Sequence, residues 1–179
     1  MRPFSSLPSR ARVLRVAVTL LASLLAGCAS LTRPADTVTF VVLRHAEKAS
    51  DDSRDPNLSD AGHDRAHRLS EALQRVDLQA VYATPFRRTQ QTAQPTAQNH
   101  GLPIRVYPAD QDAAELATQL RQQHRHGTAL VVGHSNTVPG IVAELCQCAV
   151  PALADSEYDR WFELTGPADG RLNLKSSRW

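Results

Sequence analysis

The sequence predicts an α/β fold in three layers, α/β/α, built around a mostly parallel sheet. Short apolar segments rich in β-branched residues alternate with longer segments whose apolar residues recur at helical spacing. Such alternation is typical of parallel strands joined by helices that cover both faces of the sheet. The roughly 150 residues that follow position 27 are enough for one domain with its own core.

The predicted elements follow one another closely. The first strand is predicted over residues 38–43, and Ser59 is a candidate N-cap for a helix over 61–76. Further strands are predicted at 80–85, 104–107 and 129–133, with further helices at 87–99, 112–124 and 137–146. Two late segments, RWFEL and LNL, are predicted to complete the sheet as edge strands.

The start of the chain resembles a bacterial signal peptide. Its first 27 residues carry four arginines and no acid, and they include an apolar run over 16–26. That run is too short to span a bilayer, which needs roughly 20 residues, but it suits a signal-peptide core. The run ends in LLAGC, which resembles the lipobox of bacterial lipoproteins, whose chains are cut before the cysteine and acylated on it.

We therefore expect a signal peptide over 1–27, a lipidated Cys28, a tether over 28–37 and a folded domain over 38–179. Two acyl chains would hold the protein stably at a membrane. Residue 29 is alanine, so the aspartate that retains such lipoproteins in the inner membrane is missing. The expected location is the outer membrane, facing the periplasm. An ordinary secretory signal that happens to contain a cysteine is the alternative.

Removal of the predicted signal peptide changes the charge of the chain. It takes lysines and arginines from 20 to 16 against 18 acids, so the formal charge goes from +2 to −2. This charge gives no reason to expect a nucleic-acid partner. Cys146 and Cys148 remain and are expected to be structural. A disulfide at this spacing is possible but not favoured, and nearby histidines that would complete a zinc site are missing.

Polar side chains follow three of the predicted strands. Arg44 and His45 follow the first strand, Arg88 comes soon after the second, and His134 follows the last parallel strand. Because the carboxyl ends of parallel strands meet at one edge of a sheet, we expect these side chains to lie close together. Two histidines and at least two arginines would form a pocket for an anion.

Four motifs in order resemble those of the histidine phosphatase superfamily, which has the phosphoglycerate mutase-like fold. LRHAEK at 43–48 resembles the Arg-His-Gly signature, and LSDAG at 58–62 resembles the segment that opens the next helix. TPFRRTQQTA at 84–93 resembles the segment with the second arginine and aligns it with Arg88 rather than Arg87. VVGHSN at 131–136 resembles the block that holds the second histidine.

The resemblance implies a role for each matching residue. His45 would be the nucleophile that forms a phosphohistidine, which water then hydrolyses. Arg44 and Arg88 would clamp the phosphoryl oxygens, and His134 would supply a further donor. Arg54 is a further candidate phosphate ligand. The family uses neither a metal nor an organic cofactor for this chemistry.

The sequence also departs from the family pattern. Ala46 stands where the signature has glycine, and we expect its methyl group to crowd the pocket slightly. The insertions that cover the site in mutases are missing. The His-Asp pair of the acid phosphatase and phytase branch is also missing, so the acid that protonates the leaving group must be found elsewhere. Asp110 is the first candidate, followed by Asp112, Glu115 and Glu47.

The sequence therefore predicts a phosphatase that hydrolyses a small phosphate monoester or a related phosphate through His45. A module that binds phosphate or phosphohistidine without turnover is the alternative, because the acid is not identified. The substrate and the oligomeric state stay open at this point, since one fold serves many chemistries.

Overall fold

The computed structural model describes residues 37–179, which form a six-stranded sheet with helices on both faces. The strands are β1 (Thr37–Arg44), β2 (Leu78–Ala83), β3 (Ile104–Val106), β4 (Gly127–Gly133), β5 (Arg160–Pro167) and β6 (Asn173–Arg178). The helices are α1 (Asp60–Leu73), α2 (Arg87–Asn99), α3 (Ala113–Gln123) and α4 (Val138–Cys146). The predicted signal peptide, and the predicted tether except for its last residue, lie outside the described residues.

The strands lie in the order β3-β2-β4-β1-β5-β6. The first four strands in sequence are parallel to one another, whereas β5 pairs antiparallel with β1 and with β6. The predicted α/β fold with a mostly parallel sheet is therefore confirmed. The prediction that both late strands lie at the edge is wrong for β5, which pairs with β1 on one side and β6 on the other. A hairpin returns the chain beside β5, so only β6 is left at that edge.

The two faces of the sheet carry separate apolar cores. On β1, Phe40 and Val42 pack in the core that includes α3 and α4. Val41 and Leu43, which alternate with them, pack in the core that includes α1 and α2. This period of two is the geometry of a strand buried on both faces, and it explains why β1 reads as a continuous apolar run.

The start of α1 is fixed by a cap and by a close backbone approach. The Ser59 hydroxyl accepts a hydrogen bond from the Gly62 amide at 3.2 Å, as the sequence predicts for an N-cap. A Cβ on Gly62 would lie 2.1 Å from the Glu47 carbonyl oxygen. The glycine therefore lets the helix pack directly against the segment that follows β1.

Cys146 and Cys148 are joined by a disulfide at the end of α4. Gln147 between them adopts a left-handed conformation at φ 52°, which leaves the two Cα atoms 5.2 Å apart. That separation lies within the usual range for a disulfide, so the expectation that the bond is disfavoured is wrong. Within residues 37–179, none of the helices is long and apolar enough to cross a membrane.

Candidate active site

The ends of β2, β4 and β1 lie side by side. Ala83 pairs with Val132, and Arg44 pairs with Gly133, so the three strands end at the same level. The residues that follow these ends therefore meet at one edge of the sheet. The predicted convergence of polar side chains is confirmed.

A cavity of about 440 Å³ opens at this edge, and we refer to it as the His45 cavity. It is lined by Arg44, His45, Lys48, Phe86, Arg88, Ala109, His134, Ser135, Asn136, Asp155 and Tyr158. Four predicted site residues, Arg44, His45, Arg88 and His134, are therefore brought together. Arg54 is exposed and Asp110 lines a neighbouring groove, so neither of them lines this cavity.

One hydrogen bond fixes the proton of the His45 ring. The ring is buried, and its Nδ1 lies 2.7 Å from the carbonyl oxygen of Ala46. A carbonyl oxygen can only accept, so Nδ1 carries the hydrogen of the neutral ring. The other nitrogen, Nε2, then has a free lone pair. In this tautomer the imidazole can act as a nucleophile.

The surroundings keep this ring neutral. Burial lowers the pKa of His45 to about 3, an effect opposed by the hydrogen bond to Ala46 and reinforced by the charge of Arg44. Burial also lowers the pKa of His134 to about 4, and the charges of Arg88 and Arg44 add to this effect. Both imidazoles are therefore neutral, each with one N–H, near neutral pH in the absence of an anion.

Arg44 is held on one side and open on the other. Its Nη1 donates to three backbone carbonyl oxygens of one loop, those of Ala154 (3.2 Å), Asp155 (2.9 Å) and Glu157 (3.3 Å). The Tyr158 ring lies against the guanidinium face, with Cζ 4.1 Å from the ring centroid. Nε is buried without a hydrogen-bond partner, and Nη2 makes no hydrogen bond to any described residue. Nε and Nη2 are thus the donors that the described residues leave unpaired, on a side chain that lines the cavity.

Arg88 approaches the cavity from the first turn of α2. Its guanidinium lies over the Phe86 ring, with Cζ 4.3 Å from the centroid, and its Nη1 is 3.7 Å from an oxygen of Asp55. Burial lowers the pKa of Arg88, and Asp55 opposes this shift. Arg87 instead forms ion pairs with Asp52 and Asp55 outside the cavity. The alignment that assigns the site arginine to Arg88 agrees with this arrangement.

A chain of buried hydroxyl groups orients His134. Its Nε2 lies 3.0 Å from Oγ1 of Thr84, which lies 2.8 Å from Oγ1 of Thr89. The Thr89 hydroxyl can donate to the carbonyl oxygen of Phe86 at 2.8 Å. All three contacts are satisfied when each group donates to the next, beginning with His134 Nε2–H. This arrangement fixes the tautomer and the ring plane of His134.

The carboxylates predicted to act as the general acid either form other contacts or lie outside the His45 cavity. Glu47 forms a two-oxygen ion pair with Arg65, and Asp112 caps α3. Glu115 is exposed on α3 and does not line the cavity. Of the carboxylate residues in the described range, the one that lines the His45 cavity is Asp155.

Seven of the cavity residues were not predicted as site residues, and three of them add a charge or contact Arg44. Lys48 is exposed and adds a third cation, while Asp155 and Tyr158 come from the loop before β5. The predicted crowding by Ala46 is wrong. This residue is buried with Leu58 in a separate small cluster and does not line the cavity. Within the part of the chain that the structure describes, no group of three or more His, Cys, Asp or Glu residues could hold a metal ion.

Residues 40–111 match the model of the histidine phosphatase superfamily, branch 1. The match covers less than half of the chain, and it shows a similarity to that superfamily over these residues. The matched range includes Arg44, His45 and Arg88, whereas His134 lies beyond it. A comparison with curated proteins finds no significant match.

Solved phosphatases share the fold. The protein histidine phosphatase SixA, solved with tungstate, matches with a TM-score of 0.67 and 23% identity, over 78% of this chain and 96% of SixA. A mycobacterial glucosyl-3-phosphoglycerate phosphatase matches with a TM-score of 0.61 and 16% identity, over 80% of this chain and 98% of the other. A phosphoserine phosphatase from Entamoeba histolytica, solved with 3-phosphoglyceric acid, matches with a TM-score of 0.61 and 13% identity, over 79% of this chain and 97% of the other. The fold is therefore phosphoglycerate mutase-like, as the sequence predicts.

Proposed function

We propose that the domain is a phosphatase that hydrolyses a phosphate monoester through a phosphohistidine on His45. The observation that carries the proposal is the state of this ring. The Ala46 carbonyl holds the proton on Nδ1 and leaves Nε2 free, in a cavity that also contains Arg44, Arg88 and His134. The family match and the phosphatases of the same fold support this activity.

In the proposed first step, the lone pair of His45 Nε2 attacks phosphorus. The Nε2–P bond forms as the ester P–O bond breaks, and the leaving oxygen takes up a proton. We assign that proton to the carboxyl group of Asp155, which lines the cavity and whose side chain makes no hydrogen bond or ion pair with the described residues. In the second step, a water oxygen forms a bond to phosphorus as the Nε2–P bond breaks and its electron pair returns to Nε2, and the water gives a proton to the Asp155 carboxylate.

The arginines stabilise the phosphoryl group while its charge redistributes. The open edge of Arg44 can donate two parallel hydrogen bonds, and Arg88 adds a second cation. These donors are held in place before the substrate arrives, by the loop carbonyls in one case and by Phe86 in the other. Fixed donors of this kind cost no reorganisation during the reaction.

The proposal is tested with the purified full chain, His45→Ala and His63→Ala. His63 is exposed on α1 and serves as a matched control. Phosphate release from an aryl phosphate is measured in the presence of a chelator, and the phosphoenzyme is trapped and its modified residue mapped. We expect release and a phosphohistidine at 45 in the parent and the control, and neither in His45→Ala. Equal release by His45→Ala would refute the mechanism.

The assignment of the acid is tested separately by Asp155→Asn and Asp110→Asn. Asp155→Asn should slow an alkyl phosphate, whose leaving oxygen needs a proton, far more than p-nitrophenyl phosphate, whose leaving group does not. Asp110→Asn should leave the ratio of the two rates unchanged. The reverse result would return the role to Asp110, the residue predicted from the sequence.

A module that binds phosphate without turnover is the alternative function. It rests on one observation, that Asp155 supplies the cavity's carboxyl group from an exposed loop position. Phosphate binding by a folded parent that releases no phosphate from any ester would favour this alternative over the phosphatase.

We further propose that the domain acts at the bacterial cell envelope, anchored by a lipidated Cys28 to the outer membrane and facing the periplasm. The leader over 1–27 supports this location, and so does the disulfide between Cys146 and Cys148, a bond that persists in oxidising compartments. Labelled palmitate should be incorporated by the parent but not by Cys28→Ser. Incorporation by both would refute lipidation at this residue.

A further inference from the structure

A second cavity of about 710 Å³ adjoins the His45 cavity, and we call it the Val106 groove. It is lined by Pro85, Phe86, Val106, Pro108, Ala109 and Asp110. Phe86 and Ala109 also line the His45 cavity, so the two spaces share a wall. A molecule whose phosphoryl group lies at His45 would reach the groove by passing Phe86 and Ala109.

The groove is apolar and well supported by the fold. Val106, at the end of edge strand β3, is 61% exposed. Among residues 37–179, it is the one large hydrophobic residue that is exposed to solvent. The next residue, Tyr107, is buried and donates from its hydroxyl to the Val132 carbonyl oxygen at 3.1 Å. This alternation holds Val106 on the solvent side of the strand. Pro108 restricts the backbone that follows.

The charges differ between the two spaces. The His45 cavity contains Arg44, Arg88 and Lys48, whereas the charged residue that lines the groove is Asp110. The groove therefore offers apolar contact to a leaving group and repels a second anion attached to it. Lys48 lines only the His45 cavity.

We propose that the Val106 groove binds the apolar portion of the leaving group, so that the preferred substrates are phosphate monoesters of apolar alcohols without a second anion. This inference rests on the proposed phosphatase function for the identity of the ligand as a substrate. The occupancy of the groove can be measured without turnover, because an alkyl phosphonate has the same shape and a C–P bond that the proposed mechanism does not cleave.

The test is the affinity of the full chain for n-alkyl phosphonates from ethyl to hexyl, measured by calorimetry. Each methylene buried in the groove should tighten binding by about three- to fourfold, until the groove is filled. Val106→Asp should flatten this dependence on chain length, and Val106→Thr should reduce it. Thr118→Asp adds the same charge at an exposed position of α3 that lines neither space, and it should keep the parent's dependence.

The dependence on chain length is the diagnostic quantity, because a new carboxylate near the cavity weakens every phosphonate alike. Affinities that do not change with chain length in the parent would overturn the inference. So would an unchanged dependence in Val106→Asp, or tighter binding of a phosphonate that ends in a carboxylate than of one of equal length that ends in methyl. A parent that binds the series as expected but hydrolyses no alkyl phosphate would instead refute the phosphatase function and leave the groove in place.

Discussion

Replacement of Arg44 by lysine separates the two tasks of this side chain. The guanidinium holds the loop before β5 through Nη1 and presents its Nε–Nη2 edge to the cavity. An ammonium group keeps the charge but cannot reach both sides at once, because its three donors surround one nitrogen. We expect Arg44→Lys to lose activity and stability together, and by different amounts.

The magnitudes follow from the contacts. A hydrogen bond to a charged group contributes about 1.5–3 kcal/mol, and the open edge can donate two of them to a phosphoryl group. If lysine retains one, the transition state loses about 1.5–3 kcal/mol, which lowers kcat/KM roughly 10- to 150-fold. The weaker hold on the loop carbonyls and the loss of stacking on Tyr158 should lower the free energy of unfolding by about 1–2 kcal/mol.

Arg121→Lys is the matched control. Arg121 also donates to backbone carbonyls, those of Leu145 at 2.6 Å and Gly170 at 3.0 Å, but it does not line the His45 cavity. Its replacement should cost similar stability in urea unfolding while kcat/KM for an aryl phosphate stays within twofold. The reasoning fails if Arg44→Lys keeps kcat/KM within threefold, or if both variants lose activity equally.

Three further predictions concern stability. The pKa of His45 is lowered to about 3 and that of His134 to about 4, so the unfolded chain takes up protons first as the pH falls below about 6.5. The free energy of unfolding, measured in urea titrations, should therefore decrease as the pH is lowered from 6.5 to 4. The decrease should be less steep in His134→Gln. A free energy that does not change with pH in the parent would contradict the burial argument. Gly62→Ala should lower stability by about 1–3 kcal/mol and also reduce activity, because the new methyl group must displace the Glu47 carbonyl. At Gly101 an added Cβ would meet no atom within 4 Å. Gly101→Ala should therefore lower the free energy of unfolding by only about 1–2 kcal/mol, because of its left-handed backbone, and leave activity unchanged. Reduction of the disulfide, which closes a very short loop, should cost about 1.5 kcal/mol in the same assay and leave kcat/KM within twofold.

Local patterns determine the parts that the sequence predicts well. The apolar runs of β1 and β4 and the cap at Ser59 depend on neighbouring residues, so their bounds can be read along the chain. Parallel pairing then places His45 and His134 together without further information. The family resemblance selects Arg88 over its neighbour Arg87, and the structure agrees.

The parts that the sequence does not predict depend on contacts between distant segments. Asp155 and Tyr158 reach the cavity because their loop folds over Arg44, more than a hundred positions earlier in the chain, and no motif marks that contact. Asp110 follows the predicted strand, yet a turn of the loop directs it to the next groove. The disulfide depends on the left-handed conformation of Gln147, which its residue type does not demand.

The hydrogen bonds from Arg44 to the loop before β5 link the proposed activity to the folding of residues 154–157. The pairing among β1, β2, β3 and β4 uses no residue beyond Gly133, so the carbonyl acceptors of Arg44 belong to a later segment than the parallel part of the sheet. Arg44 acquires its three carbonyl acceptors only when residues 154–157 have arrived. A polypeptide that ends before residue 154 would thus have both histidines but would lack the carbonyl acceptors of Arg44. In the proposed mechanism, phosphate release therefore requires residues 154–157 to be in place, and it can serve as a reporter of the folding of this loop.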